Sequence, residues 1–293
     1  MVCLMEQAVY ITKTSQLHYA NGQYSRVYFG CEFCERLIPS LNQLKRVTAF
    51  VRKRKLAFSL VTPYVTREGL TKLKGLFDLL KEEGVVCEII VNDWGVLNLI
   101  NREYPFFTPV LGRLMTRQEK GPRLARALKR KGEAWAFSDP KDPKIKRFIV
   151  EKEIPLDLDP YYKGANTLSV PILQDFLIKQ RVKRIEFDNA LQGVIMDVPK
   201  DKMKLSVYYP YGYITTTFFC PTAGCDDSPK SVQKIKPCRK QCQKYIFKLR
   251  HKTMPKILYL KGNTHFFKNS RLPVKKLQDL GVDRIVYQPD IAV

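Results

Sequence analysis

Short apolar segments typical of β-strands alternate with amphipathic segments typical of helices along most of the 293-residue chain. The clearest unit is LAFSLVTPYV (56–65), a strand, followed by TREGLTKLKGLFDLLKEEG (66–84), a helix with Thr66 as its N-cap and Gly84 after its last turn. Repeated strand–helix units of this length predict an α/β fold with a parallel sheet. About eight such strands predict a (β/α) barrel of the TIM type, with irregular helices, as a single domain over residues 1–293.

Two regions interrupt this alternation. Residues 136–166 contain many Pro, Asp and Lys residues with little periodicity, and they predict an irregular insertion. Later in the chain, the β-rich run KLSVYYPYGYITTT (204–217) leads into a cysteine-rich loop at residues 220–242. We expect this C-terminal loop to lie at one end of the barrel, because loops that follow barrel strands meet there.

Six of the eight cysteines fall into two clusters. Cys31 and Cys34 form the pair CEFC after the strand-like run SRVYFG. The second cluster lies in the C-terminal loop and contains Cys220, Cys225, Cys238 and Cys242. Cys238 and Cys242 are four residues apart, so a helical turn would place their sulfur atoms on one face. The spacing predicts a metal or iron–sulfur site that joins the two ends of the domain, and four thiolates suit zinc and iron–sulfur clusters equally well.

Composition limits the remaining possibilities. Only three histidines are present, which argues against a histidine-built metal site, and we take Cys3 and Cys87 as structural. The first residues, MVCLMEQAVYITKTSQ, lack the basic start and apolar core of a secretory signal, and no apolar run reaches the roughly 18–20 residues that span a bilayer. We therefore expect a cytoplasmic, reducing compartment, in which clustered cysteines bind metal more often than they form disulfides.

The net charge of +23 favours an anionic partner, either RNA or an anionic small molecule; a generally basic, solvated surface is the alternative. Basic residues are dense after the strand-like run FFTPVLG, where they are Arg113, Arg117, Lys120, Arg123, Arg126, Lys129 and Arg130. Because arginine forks bind carboxylate and phosphate groups, Arg113 and Arg117 are candidate substrate-binding residues. Asn92 and Asp188 also follow strand-like runs, and we expect them at the same mouth of the barrel.

Several segments carry a family resemblance when they are taken in order. YFGCEFC, LVTPYV, VNDWGVLNLI, LGRLM, RIEFDNALQG and TTFFC…PCRKQC resemble the U32 peptidase family over most of the chain, and the length and layout are most similar to the UbiU/UbiV proteins of that family. The resemblance implies a [4Fe–4S] cluster held by Cys34, Cys220, Cys238 and Cys242. Cys31 and Cys225 stand beside these positions and could substitute for one of them.

The same resemblance implies an oxygen-independent hydroxylation, of an aromatic precursor or an RNA base, with prephenate proposed as the hydroxyl donor. Two alternatives stay open: a zinc-stabilised RNA-binding module without catalysis, and a non-catalytic subunit in a heterodimer with a related U32 protein. The sequence gives little support to a peptidase, because no motif pairs a nucleophile with a base and HExxH is absent. It assigns no catalytic residue.

Overall fold

The computed structural model describes residues 5–118, 120–121, 133–139, 142–151, 170–196, 198–227, 236–250 and 256–293. Within them the chain forms fourteen strands and five α-helices. The strands are β1 Glu6–Ile11, β2 Arg26–Gly30, β3 Ala57–Val61, β4 Glu88–Val91, β5 Thr108–Leu111, β6 Glu133–Ser138, β7 Lys146–Glu151, β8 Arg184–Asp188, β9 Lys204–Tyr209, β10 Tyr211–Thr216, β11 Phe247–Leu249, β12 Leu258–Lys261, β13 Thr264–Lys268 and β14 Val282–Tyr287. The helices are α1 Leu41–Arg54, α2 Arg67–Glu82, α3 Trp94–Glu103, α4 Pro171–Lys179 and α5 Val274–Asp279.

Eight of these strands close into a parallel barrel in the order β1-β14-β9-β8-β5-β4-β3-β2. Strand β1 pairs in parallel with β2 on one side and with β14 on the other, so the first and last strands of the chain complete the ring. The predicted TIM-like α/β barrel is confirmed. All the carboxyl ends of the barrel strands therefore open at the same mouth.

Each barrel strand is buried on both faces, which explains its nearly continuous apolar sequence. In β2, Val27 and Phe29 belong to the hydrophobic layer between the barrel and the helices. Tyr28 lies between them in sequence and belongs to the interior cluster, where its ring contacts Tyr208 edge-on at 6.2 Å. This alternation has the period of two that a strand imposes on its side chains.

The helices follow local signals. Helix α1 begins at a capping box, in which Gln43 N donates to Ser40 Oγ at 3.3 Å and Ser40 N donates to Gln43 Oε1 at 2.9 Å. Leu44, Val47 and Val51, at helical spacing, form its buried face. None of the described helices is long and apolar enough to cross a membrane.

A smaller sheet lies outside the barrel. The β-rich run at residues 204–217 divides at Pro210: β9 belongs to the barrel, whereas β10 enters a four-stranded antiparallel sheet of order β10-β13-β12-β11. Phe33, from the loop after β2, packs against two rings of this sheet, Tyr213 at 5.4 Å and Phe266 at 5.2 Å. Because the loop after β2 leaves the mouth of the barrel, these contacts hold the small sheet over that mouth.

The predicted irregular insertion begins as a regular element. Strands β6 and β7 form an antiparallel hairpin, closed by a hydrogen bond from Asp139 N to the Ile145 carbonyl at 2.8 Å. The rest of the predicted insertion, residues 152–166, lies outside the described residues, as do residues 140 and 141.

Ion pairs close the opposite end of the barrel, at the amino ends of its strands. Arg284 pairs with Glu6 at 2.6 Å and with Glu88 at 2.7 Å, and Arg26 pairs with the same two carboxylates at 2.7 and 3.2 Å. Residues at this end of a (β/α) barrel generally serve stability, whereas functional residues lie at the mouth.

Candidate metal centre

The first cysteine pair lies where the chain leaves β2. Gly30 has φ +138°, and a Cβ there would stand 2.1 Å from the Val61 carbonyl oxygen, so the position needs glycine. Cys31 follows directly and is buried, and Cys34 caps the 3-10 turn Glu35–Leu37. The short turn places the Cys34 thiol at the mouth of the barrel.

The late cysteines lie on the connection between β10 and β11. Cys220 follows β10, Cys238 and Cys242 precede β11, and residues 228–235 between them lie outside the described residues. Cys242 is buried, Cys220 and Cys238 are half-buried, and Cys225 is exposed. The two described parts of this connection thus lie against the small sheet that covers the mouth.

One buried amide fixes the two cysteine regions relative to each other. Asn263, in the turn between β12 and β13, donates from Nδ2 to the carbonyl of Phe33 at 2.7 Å and to the carbonyl of Thr217 at 2.7 Å. The first carbonyl belongs to the loop of Cys34 and the second to the approach to Cys220. Sequence reasoning missed this residue, although the dipeptide Gly262-Asn263 is a turn signal and Gly262 has φ +63°.

Four thiols influence one another electrostatically. Burial, with smaller contributions from the thiols of Cys242, Cys238 and Cys220, raises the pKa of Cys34 to about 11, because neighbouring thiolates repel each other. Burial also raises the pKa of Cys242, with further contributions from Cys220 and Cys238. The structure therefore places one early thiol within electrostatic reach of three late ones.

The two extra cysteines stand at the edge of this group. Burial raises the pKa of Cys31 to about 12, and the thiol that adds most to this shift is Cys34. Burial also raises the pKa of Cys225, with smaller contributions from Asp226 and from Cys220.

The remaining cysteines lie elsewhere. Cys87 lies in the hydrophobic layer between the barrel and the helices, and Cys3 is outside the described residues.

Two of the sulfur atoms accept hydrogen bonds from nearby groups. Lys240 N donates to Cys238 Sγ at 3.4 Å, and Gln243 Nε2 donates to Cys242 Sγ at 3.7 Å. The positive charge of Lys261 lowers the pKa of Cys242, against the effect of burial. Such donors and charges stabilise thiolates, and they are among the features that tune thiolate-bound clusters.

The thiols do not stand in ligating positions as they are. Among the residues that the structure describes, no three His, Cys, Asp or Glu side chains are arranged so that they could hold a metal ion. The cysteines are therefore suitable in chemical type for a thiolate-bound metal, and they lie in the same region of the molecule. Metal binding would require their sulfur atoms to move closer together.

Arg113 lies inside the mouth and is fully buried. Its guanidinium binds Glu32 through Nε and Nη2, with a shortest distance of 2.8 Å, and Nη1 donates to Asp188 Oδ1 at 2.6 Å. The second oxygen of Asp188 pairs with Lys120, which is also buried. Although burial alone would lower the pKa of Arg113, the facing carboxylates raise it well above its usual value. Two of the predicted anion-binding residues, Arg113 and Lys120, thus bind carboxylates of the chain itself.

The other predicted substrate residues have different surroundings. Asn92 is buried, and its amide donates to the Thr62 carbonyl at 2.9 Å and accepts from Leu114 N at 3.1 Å. Arg117 is exposed and adopts φ +47°. The basic residues that follow, Arg123, Arg126, Lys129 and Arg130, lie outside the described residues.

A buried carboxyl group in the barrel interior escaped sequence reasoning. Glu186 accepts hydrogen bonds from the hydroxyls of Tyr28 at 2.7 Å and Tyr208 at 2.5 Å. Burial raises its pKa to about 7, despite these hydrogen bonds and the charge of Arg284. The motif RIEFD contains the residue, but a strand pattern does not indicate that a glutamate will face the barrel interior.

Comparison with known proteins gives structural similarities only. No model of a known protein family matches the sequence, and no curated protein matches it. One similar solved structure is a U32 peptidase. That protein, Mk0906, is 10% identical, with a TM-score of 0.47, and the match covers 99% of this chain and 95% of that one. A chitinase from Trichuris suis is 8% identical with a TM-score of 0.38, over 97% of this chain and 91% of that one. Both are comparisons of shape, and fold does not determine function.

Proposed function

We propose that this protein binds a [4Fe–4S] cluster through Cys34, Cys220, Cys238 and Cys242, and that it takes part in an oxygen-independent hydroxylation. One observation carries the proposal: at the mouth of a (β/α) barrel, Asn263 ties the loop of Cys34 to the approach to Cys220, and the Cys34 thiol lies within electrostatic reach of Cys220, Cys238 and Cys242. Chemistry in such barrels occurs at this mouth.

The mutual repulsion of the thiolates is what a metal would relieve. Without a bound cation, the thiols of Cys34 and Cys242 stay protonated, because burial and the neighbouring thiols raise the pKa of both. A bound cation reverses this preference and deprotonates its thiol ligands. The donors from Lys240 N and Gln243 Nε2 would then hold the charged sulfur atoms in place. When bound, a [4Fe–4S] cluster supplies single-electron transfer.

The hydroxylation part of the proposal rests on the order of the motifs from YFGCEFC to PCRKQC. An aromatic precursor and an RNA base are the two substrate classes, and the net charge of +23 supports either an anionic small molecule or RNA. Because Arg113 already binds Glu32 and Asp188, the anionic groups of a substrate require other partners.

The test is anaerobic purification followed by iron, sulfide and zinc analysis of the wild type and of single Cys→Ser variants. We expect about four iron and four sulfide per chain in the wild type, as the cluster type dictates, and clear iron loss at each of the four proposed ligands. Cys87→Ser is the matched control, because Cys87 is buried away from the mouth, and it should keep its iron.

Several results would change the proposal. Full iron retention in Cys238→Ser would remove the ligand assignment, and iron loss in Cys31→Ser or Cys225→Ser would revise it. Zinc without sulfide would favour the zinc-stabilised module, and co-purifying RNA would identify the substrate class.

A further inference from the structure

A pocket of about 390 Å³ opens beside the proposed metal centre. Its walls come from the loop after β1, Thr12 to Ser15, from Cys31, and from the segment that carries Cys238 and Cys242, through Lys240 and Gln243. Loops that follow β1 and β2 stand at the mouth of the barrel. The pocket thus lies at the end of the barrel where ligands bind. Its volume is within the range of roughly 300–1,000 Å³ that is typical of small-molecule sites.

The walls combine apolar residues, Leu37, Ile38, Pro39 and Val293, with polar and positively charged ones. Lys13 and Lys240 both line the pocket, and neither forms an ion pair with another residue that the structure describes. Among the described residues, no Asp or Glu side chain lines it. The hydroxyls of Thr14 and Ser15 add hydrogen-bonding groups. Two cations without facing carboxylates, on a wall that also offers hydroxyls, match a carboxylate or phosphate group.

A third lysine lies close by. The buried Lys261 is close enough to Lys13 for the two charges to repel each other, it pairs with Asp290 at 3.7 Å, and it also acts on Cys242. Lys13 and Lys240, unlike Lys261, have no carboxylate partner among the described residues. Arg113, in contrast, is neutralised by two carboxylates inside the barrel.

We infer that this pocket binds a small organic anion, with Lys13 and Lys240 holding its carboxylate or phosphate group beside the thiol cluster. This inference rests on the proposed function, because the pocket would hold a substrate beside the proposed metal centre. Binding itself depends on the pocket and not on the metal.

The experiment measures binding of three probes to the protein as purified anaerobically, by calorimetry or saturation-transfer NMR. The probes are isophthalate, its neutral amide isophthalamide, and inorganic phosphate. Isophthalate and isophthalamide match in shape and differ in charge. We expect isophthalate to bind and isophthalamide to bind at least tenfold more weakly, since each charge-assisted hydrogen bond contributes about a factor of ten or more.

Matched variants locate the site. Lys13→Gln and Lys240→Gln should each weaken isophthalate binding about tenfold. Lys53→Gln removes the same charge from the exposed far end of α1 and should leave binding unchanged. Ser15→Trp, at an exposed wall position, should obstruct the pocket and reduce binding of both organic probes. Circular dichroism of each variant checks that it has folded.

Two results would overturn the inference. One is absence of isophthalate and phosphate binding at millimolar concentration; the other is equal weakening by Lys53→Gln and Lys13→Gln, which would indicate general attraction to a basic surface. Iron content is measured in the same samples, so the two proposals can fail separately. Isophthalate binding to a protein without iron would support the pocket and contradict the proposed cluster. Iron without isophthalate binding would support the cluster and contradict the pocket.

Discussion

Two arginines four positions apart show how far sequence reasoning goes at the scale of single residues. Arg113 and Arg117 both follow β5 and both suggest an anion site. The structure buries Arg113 against Glu32 and Asp188, which are 81 and 75 residues away, and leaves Arg117 exposed. Partners this distant are set by the closed barrel, so no local pattern could distinguish the two.

The buried network gives a stability prediction. Arg113→Met removes the cation and leaves two buried carboxylates, Glu32 and Asp188, with only Lys120 to compensate them. Breaking a buried pair in this way costs about 3–5 kcal/mol. We expect urea denaturation to show a loss of this size. Arg117→Met is the control and should change the free energy of unfolding by less than about 0.5 kcal/mol. Equal effects of the two substitutions would contradict the buried ion pairs.

Glu186 gives a prediction of pH dependence. Its folded-state pKa of about 7 lies above the usual 4.5, so the folded protein keeps a proton that the unfolded chain releases between these values. The free energy of unfolding should therefore fall as pH rises through this window, by about 3 kcal/mol for a shift of this size. Glu186→Gln cannot lose a proton and should lack this contribution.

Urea denaturation of both proteins at pH 5 and pH 8 provides the measurement. The stability difference between wild type and Glu186→Gln should change by roughly 2–3 kcal/mol between the two pH values, with the wild type losing more. Glu82→Gln, at an exposed position on α2, controls for removal of a carboxylate at the surface. A pH-independent difference would mean that Glu186 ionises normally.

At the scale of elements, locally encoded features were predictable. The helix expected at residues 66–84 is α2, Arg67–Glu82, and Gly84 follows it with φ +62°. Apolar spacing and a closing glycine determine such an element without knowledge of its neighbours. Thr66 is the N-cap, as predicted, but its side chain does not accept a hydrogen bond from the first turn of the helix. Instead, its N and Oγ1 donate to Glu35 Oε2 at 2.7 and 2.8 Å.

Which sheet a strand joins was not predictable. The run at residues 204–217 is uniformly β-rich, yet β9 joins the barrel and β10 joins the small sheet. Strands β12 and β13 also lie outside the barrel, and they form an antiparallel hairpin within the small sheet. Strand pairing depends on which edge is available in the folded molecule, and the period of two is the same in both sheets.

The candidate site was predictable only in part. Cysteine spacing predicted a thiol site that joins Cys34 to the loop at residues 220–242, and Asn263 does link these two regions. That the thiols bind a metal stays a prediction. Asn263 and Lys261, which support the site, carry no comparable signal: a turn asparagine and a strand lysine are ordinary in sequence. Their roles appear only when β12 and β13 lie over the mouth of the barrel.

At the scale of the whole molecule, the proposed cluster would join regions far apart in the chain. Cys34 leaves the barrel wall after β2, whereas Cys242 packs in the interior cluster with Phe33 and Phe266 beneath the small sheet. At present Asn263 and the aromatic contacts hold the two regions together. A metal bound by both regions would add a cross-link that the unfolded chain lacks, and ligands that bind only the folded state stabilise it.

The molecule should therefore melt at a higher temperature with its cluster than without it. A stabilisation of about 3 kcal/mol, which a ligand at about 100 times its Kd supplies, corresponds to a shift of roughly 5 °C in a chain of this size. Calorimetry of the anaerobic protein before and after chelation measures the shift. Cys34→Ser is the matched control: it should already melt like the chelated wild type and should not respond to chelator, because it lacks the ligand on the barrel side. Identical melting of chelated and untreated wild type would show that the four thiols do not join the small sheet to the barrel through a metal, and the covering of the mouth would then rest on Asn263 and the aromatic contacts alone.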